Sequence, residues 1–385
     1  VDALWFYAIA FVVIWVLAIL FKDKLKIDIN GPLLMRRTTR MRDFIDSIAQ
    51  KSPRFWRVYM NIGIPVSVFF MGLMIVALIL SLKTFLQAPA ASPILPGVDY
   101  PGNPVFLPLG YGLIGLVTVL VVHEFAHGIL ARVEGIKIKS IGVALFAILP
   151  GAFVEPDEEG VKKASRLSKL RIYAAGSIFN LFLAAISLVI LFVLSSFLIP
   201  ATFQSDGILV SSVVPNSPSD SVLKEGMVIY NVNGKEIKNY TDYVAVRNRT
   251  KIGDTLTFKT DQGTFTIKTD ANPNNSTAAY AGFRPTEHLV VNKDVSNSYG
   301  DKIPWILIVL GELFKWIGFL NLAVGTFNLL PMKPLDGGLI FEEILSYKLA
   351  KERVKPIVNS ISYVLIAFLI VNIVYGLGKG ILLSL

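Results

Sequence analysis

The sequence predicts a polytopic α-helical membrane protein of about six transmembrane helices, with a membrane-associated β element and one inserted small β-rich domain. Three observations predict it. Several windows of about twenty residues run with hardly a charge, the length that spans a bilayer; Lys and Arg gather in alternate connecting segments; and residues 206–285 change to short alternating runs separated by turn signals. Composition agrees: 53% of the 385 residues are hydrophobic and 17% charged, with mean hydropathy +0.59, whereas soluble domains carry roughly 25% charge. This composition argues against a purely cytosolic enzyme. The absence of Cys removes disulfide scaffolds and Cys-ligated zinc or iron–sulfur sites.

Residues 4–21 form the first apolar run, after Asp2 and before Lys22, Lys24 and Lys26, the reverse of a signal peptide's charged start. The run reads as a retained helix with its N-terminus outside, and the opening Val1 implies that an initiator methionine, at least, is missing. Further spans fall near 58–82, 109–133, 171–199, 303–330 and 357–383. The apolar window 140–154 is too short to cross and is interrupted at Pro150 and Gly151, so it reads as re-entrant or hairpin-like. Segment 22–57 holds ten Lys/Arg against four acids, 132–171 eight against five, and 346–356 four against one; these are expected on the cytoplasmic side. The loop 83–104, with one Lys, and the segment 200–302, with eleven basic and eleven acidic residues, are expected outside. The net charge of +9 thus belongs to cytoplasmic loops, and no nucleic acid partner is needed.

The strongest chemical signal is His123, Glu124 and His127 inside the third span. His at i and i+4 project from one helix face and can hold one metal ion, and Glu124 flanks that face, placed to work on a water at the metal. Two imidazoles leave zinc needing a third protein ligand and one open position. The bland reading, a polar cluster bonding neighbouring helices, is weakened by the cost of an intramembrane Glu beside two of only three His. Acids near apolar segments include Glu312, Asp336, Glu342 and Glu343. Glu312 has Lys315 at i+3, which a salt bridge explains. Asp336 follows Pro331 and Pro334 and precedes Gly337 and Gly338, a broken helix of the kind tolerated at membrane depth when it lines a cavity or is buried in protein. On local grounds it also suits the cap of a short helix over 339–345.

His123, Glu124 and His127 in one span, Asn328, Pro331, Pro334, Asp336 and Gly337 in a later one, and residues 150–155 between them together resemble the site-2 protease family of intramembrane zinc metalloproteases, over about 105–199 and 303–345. The resemblance implies that His123, His127 and Asp336 hold one zinc ion and that Glu124 is the general base and acid in hydrolysing a peptide bond of a membrane-spanning substrate. Gly176 and Asn180 are similar to the family's Gly-x-x-x-Asn pattern, whose Asn supports the reaction by hydrogen-bonding substrate near the scissile carbonyl; interhelical packing is the other role open to Asn180. The window 140–154 corresponds to the family's β element, which holds substrate as an added strand, or else it is a shallow membrane anchor. The inserted domain resembles a PDZ domain. Gly207 to Val210 stand where a peptide-terminus loop is expected, and Met227 where an Asp is common; a peptide ligand and a purely steric module are both open. His288 reads as an ordinary surface residue.

These expectations divide the chain into an N-terminal helix pair with a basic loop (1–104), a first part of the catalytic core (105–199), the extracytoplasmic PDZ-like domain (206–285), a linker (286–302) and a second part of the core with the last helix (303–385). The expected activity is zinc-dependent intramembrane endopeptidase cleavage of transmembrane protein substrates in a cell membrane. A divalent-metal transporter and a non-catalytic scaffold recruiting partners through the PDZ-like domain are the alternatives.

Overall fold

Six helices among the described residues are long and apolar enough to cross a membrane: Ala3–Leu20, Pro53–Ser81, Leu109–Val133, Arg166–Thr202, Ile303–Phe327 and Glu352–Gly376. The computed structural model describes residues 3–83, 94–99, 105–273 and 275–384; most of the expected outer loop 83–104 lies outside the described residues. Between 11% and 33% of each apolar window is buried within the protein. Apolar surface left open on that scale needs a non-aqueous solvent, and the chain is a multi-pass membrane protein. It divides into two compact units, Val1–Leu191 with Glu312–Leu385, and Phe192–Gly311.

In the first unit, the expected hairpin is present as β3 and β4 of a four-stranded antiparallel sheet: β1 (Ile27–Asn30), β2 (Leu33–Thr38), β3 (Ile138–Phe146) and β4 (Leu149–Pro156), in the order β1-β2-β3-β4. β4 is therefore an edge. Segment 22–57, read from sequence only as a basic loop, supplies β1, β2 and the helix Arg42–Lys51. Its signal was the Asn30-Gly31 pair between apolar runs, a hairpin signature, with Gly31 at φ +57°. Three spans, the sheet and the Asp336 segment meet in one core containing Met60, Ala126, Leu130, Ile141, Val154, Ala175, Leu329 and Ile340. Polar groups brace the helix ends around Glu134. Its carboxylate accepts hydrogen bonds from Arg171 (3.0 Å), Arg57 (3.3 Å) and Ser168 (2.5 Å), tying three helices together. A buried charge is tolerated only when paired in this way.

The second unit carries β5 (Phe203–Val213), β6 (Val228–Val232), β7 (Lys235–Glu236), β8 (Thr255–Thr260), β9 (Gly263–Lys268), β10 (Asp270–Asn272), β11 (Asn275–Tyr280) and β12 (Phe283–Val291). The main sheet runs β12-β5-β6-β8-β9, with β7 on β6 and β10–β11 as a separate hairpin. Its core joins Ile208, Val210, Met227, Ile229, Phe258 and Phe283 to Tyr243 of the helix Tyr240–Arg247. Burial there pushes the Tyr243 hydroxyl up to about 12. This is the expected small β-rich domain, with two corrections. Residues 286–302 are not a linker: β12 extends the sheet to Val291 and the helix Lys293–Tyr299 follows. Beyond Phe283 every residue of β12 is half-buried or exposed, so its composition reads as polar linker while its backbone pairs along β5. Gly207 to Val210 are not a loop either; they lie inside β5 between β12 and β6, with Ile208 and Val210 fully buried.

Candidate active site

The helical period brings His123 and His127 onto one face, with ring centroids 4.8 Å apart and Nε2 atoms 3.2 Å apart. Asp336 arrives from 209 positions later in the chain. Its Oδ2 lies 3.3 Å from His123 Nε2 and 3.4 Å from His127 Nε2, and Ser177 Oγ donates to the same oxygen at 3.2 Å. Asp336 opens the helix Asp336–Leu345, with Leu335 at the capping position, so its carboxylate serves the imidazoles and not a cap. The approach depends on Gly337 and Gly338. A Cβ on Gly337 would collide with the backbone of Leu329 and Leu330, and one on Gly338 would stand 2.6 Å from the Met332 carbonyl oxygen. The broken segment is thus packed directly beneath the start of the Asp336 helix, where Gly337 N–H donates to the Asn328 carbonyl at 2.7 Å.

The other acids near apolar segments have other partners. Glu312 pairs with Lys315 at 2.6 Å, as expected. Glu342 pairs with Lys333, and Glu343 with Lys169 and Arg166. His288 pairs with Asp206 at 2.6 Å on the domain surface. Among the described residues, His123, His127 and Asp336 form the group able to hold a metal.

The donor set fits zinc. A tetrahedral ion with ligand bonds of about 2.0–2.1 Å spaces its ligand atoms by about 3.3 Å, matching the observed triangle of 3.2, 3.3 and 3.4 Å. His127 Nδ1 lies 2.7 Å from the Ile172 carbonyl oxygen; that oxygen only accepts, so Nδ1 carries the hydrogen and Nε2 presents its lone pair. Gly176 lets the neighbouring helix close onto both rings: a Cβ there would stand 2.6 Å from His123 Cε1 and Nε2 and collide with His127 Nε2.

Asn180 is fully buried, and its amide lies 3.3 Å from His123 Nδ1. The other amide position has no partner. Glu124 Oε2 accepts the Val154 N–H of β4 at 3.0 Å, so the candidate base is held against the sheet edge. A cavity of about 710 Å3 is lined by His123, Glu124, His127, Asp336, Val154 and Asn328, among others.

Ser177, the Ile172 carbonyl and the Val154 N–H were absent from the sequence reading. A lone hydroxyl in an apolar helix carries no pattern, and main-chain groups carry no side-chain signal at all. Gly176 was legible as part of the Gly-x-x-x-Asn pattern, but not as the surface on which the imidazoles rest.

A family model described as peptidase family M50 matches residues 111–369, which includes every residue of this cluster. An uncharacterised protein of Methanocaldococcus jannaschii is 26% identical over 368 residues, 93% of this chain and 90% of its own length. A protein of Arabidopsis thaliana named a membrane-bound transcription factor site-2 protease homolog is 30% identical over 136 residues, 35% of this chain and 26% of that protein. A "Putative zinc metalloprotease" of Clostridium perfringens is 23% identical over 328 residues, 68% of this chain and 95% of its own length. The match spans the two histidines, the helix that packs on them and the distant aspartate together, and the chain belongs to peptidase family M50, the site-2 protease family of metalloproteases.

Proposed function

We propose that the protein is a zinc-dependent intramembrane endopeptidase that hydrolyses peptide bonds in transmembrane segments of other membrane proteins. The observation that carries this reading is the triangle of His123 Nε2, His127 Nε2 and Asp336 Oδ2 beside Glu124, built on a helix long and apolar enough to span the bilayer. One zinc ion held by those three side chains would acidify water and polarise the scissile carbonyl. Glu124 then takes the proton of the attacking water and returns it to the leaving amine. The Val154 N–H steadies the carboxylate between these two duties. The cytoplasmic placing of the basic loops and the extracytoplasmic placing of the PDZ-like domain belong to the same proposal, as does a peptide ligand for that domain.

Asn180 supports the reaction through His123. When Nε2 serves the metal, Nδ1 carries the proton, and Asn180 Oδ1 turned toward it accepts that hydrogen. The amide NH2 then occupies the position without a protein partner, free to donate to the substrate's developing oxyanion. The edge of β4 suits an extended substrate, since strand addition satisfies the backbone of an unwound helix.

The test is cleavage of a tagged transmembrane segment by the purified full chain in liposomes. Cleavage should be lost on chelation and restored by zinc; in the same assay, Asn180→Leu should lower both kcat and zinc affinity. Cleavage indifferent to chelation removes the zinc assignment. Zinc flux into vesicles without cleavage favours the transporter, and metal-independent activity of neither kind favours a scaffold.

A further inference from the structure

Glu124 borders two cavities. Besides the one holding the imidazoles, a second of about 850 Å3 shares Glu124, Phe153 and Val154 with it. The rest of its wall includes five cations: Lys24, Lys26, Arg36, Arg37 and Arg40. Arg37 is paired with Asp28 at 2.5 Å. Among the ion pairs of the described residues, none involves Lys24, Lys26, Arg36 or Arg40.

A loop lying at a membrane face collects Lys and Arg for topological reasons alone, but that bias does not fold them together. Here the β1–β2 hairpin does so. β2 pairs with β3 so that Arg36 stands opposite Val143 and Arg37 opposite Gly142, and β3 in turn pairs Gly142 with Phe153 of β4. The Arg37 guanidinium lies 5.9 Å from the centre of the Phe153 ring. The wall of this cavity thus draws its cations from two separate stretches of chain beside the candidate base, with Arg36 and Arg37, adjacent in β2, projecting from opposite faces of the sheet.

The backbone of β4 leads into that space. Val154 N–H points out of the sheet to Glu124, so by strand alternation the next outward N–H belongs to Ala152. Pro150 and Pro156, which have no N–H, bound this stretch. A peptide laid on the edge passes Glu124 at Val154 and reaches Phe153 and Ala152, which line the basic cavity.

We propose that the second cavity is a specificity subsite for acidic side chains of the substrate, on one side of the scissile bond. The inference rests on the protease reading and adds the charge of the substrate to it. An anionic lipid headgroup would meet the same cations. The peptide is favoured because the cavity shares Glu124, Phe153 and Val154 with the one lined by the imidazoles, and because its wall includes a sheet edge able to bond an extended chain.

The experiment uses the full chain in phosphatidylcholine liposomes and one transmembrane substrate carrying a block of Asp/Glu, Asn/Gln or Lys at one end or the other. With the acidic block at one of the two ends, kcat/KM should exceed the neutral block by about tenfold, the worth of one charge-assisted hydrogen bond, and the ratio should shrink as salt screens it. In the Arg36→Gln/Arg40→Gln variant the ratio of acidic to neutral rates should fall toward one. Taking the ratio within each variant removes any general loss of folding or activity. Equal rates for acidic and neutral blocks at both ends would overturn the proposal. So would charge-blind cleavage stimulated by phosphatidylglycerol, which would give the cavity to a lipid headgroup. Should no substrate be cut, the protease reading fails by itself, and capture of the same substrates by Glu124→Gln still decides the subsite: tighter retention of the acidic block supports it, and equal retention overturns it.

Discussion

Glu124→Gln should lower cleavage by about 10²–10⁴-fold, the range for loss of a general acid–base group, while zinc content stays that of the parent. The two halves of this expectation have separate structural grounds. Gln keeps the length of the side chain and an oxygen able to accept the Val154 N–H that Glu124 now receives at 3.0 Å. The contact with β4 and the wall of both cavities are therefore preserved. Glu124 is not one of the three side chains converging on the metal position, so metal retention is not at stake. What is lost is the capacity to accept a proton. Activity assay and metal analysis on one preparation check both halves, and unreduced cleavage would remove Glu124 from the role of base.

Gly176→Ala should abolish metal binding, and with it activity, although the residue carries no side chain and lies outside the ligand set. The added methyl group would sit 2.6 Å from His123 Cε1 and Nε2 and overlap His127 Nε2. Neither ring is free to withdraw. His127 is held through Nδ1 at the Ile172 carbonyl and His123 lies against Asn180, and those partners sit on the same helix as residue 176 itself. Relief requires the helices to part or the rings to rotate off the metal position. Loss of an orienting contact alone costs about 10–100-fold in metal affinity, and direct displacement of two ligands should exceed that. Gly110→Ala is the matched control, being in the helix of His123 with nothing within 4 Å of an added Cβ. It should bind zinc as the parent does and gain slightly in helix stability. Titration of zinc into both variants distinguishes this account from a general intolerance of these helices to substitution; equal affinity for both would show that Gly176 does not carry the rings.

The membrane architecture was legible because the bilayer imposes length and apolarity on each span, and the pairing of His123 with His127 because a helix has a fixed period. Asp336 was identifiable only by resemblance, since a contact across 209 positions leaves no local trace; its broken, proline-containing approach and two glycines made it suspect without making it a ligand. The segments misread share a different physical cause. β1, β2 and β12 are only partly buried, each with a single fully buried residue or none, so the charged and polar side chains in them mask the strand pattern. Residues 22–57 looked like a topological signal and fold as a wall of the second cavity; residues 286–302 looked like a tether and in part form a sheet edge. The groups that orient the imidazoles are largely main chain, and these become visible only when the helices are packed.

The most direct test of the central claim is zinc K-edge X-ray absorption on the purified protein and on Asp336→Asn, with metal stoichiometry measured on the same samples. The account predicts one zinc per chain in the parent, with two imidazoles and a carboxylate oxygen among its ligands, and a variant that binds zinc at least ~10-fold more weakly and lacks the carboxylate contribution. A parent without bound zinc, or an Asp336→Asn spectrum and affinity indistinguishable from the parent's, would contradict it.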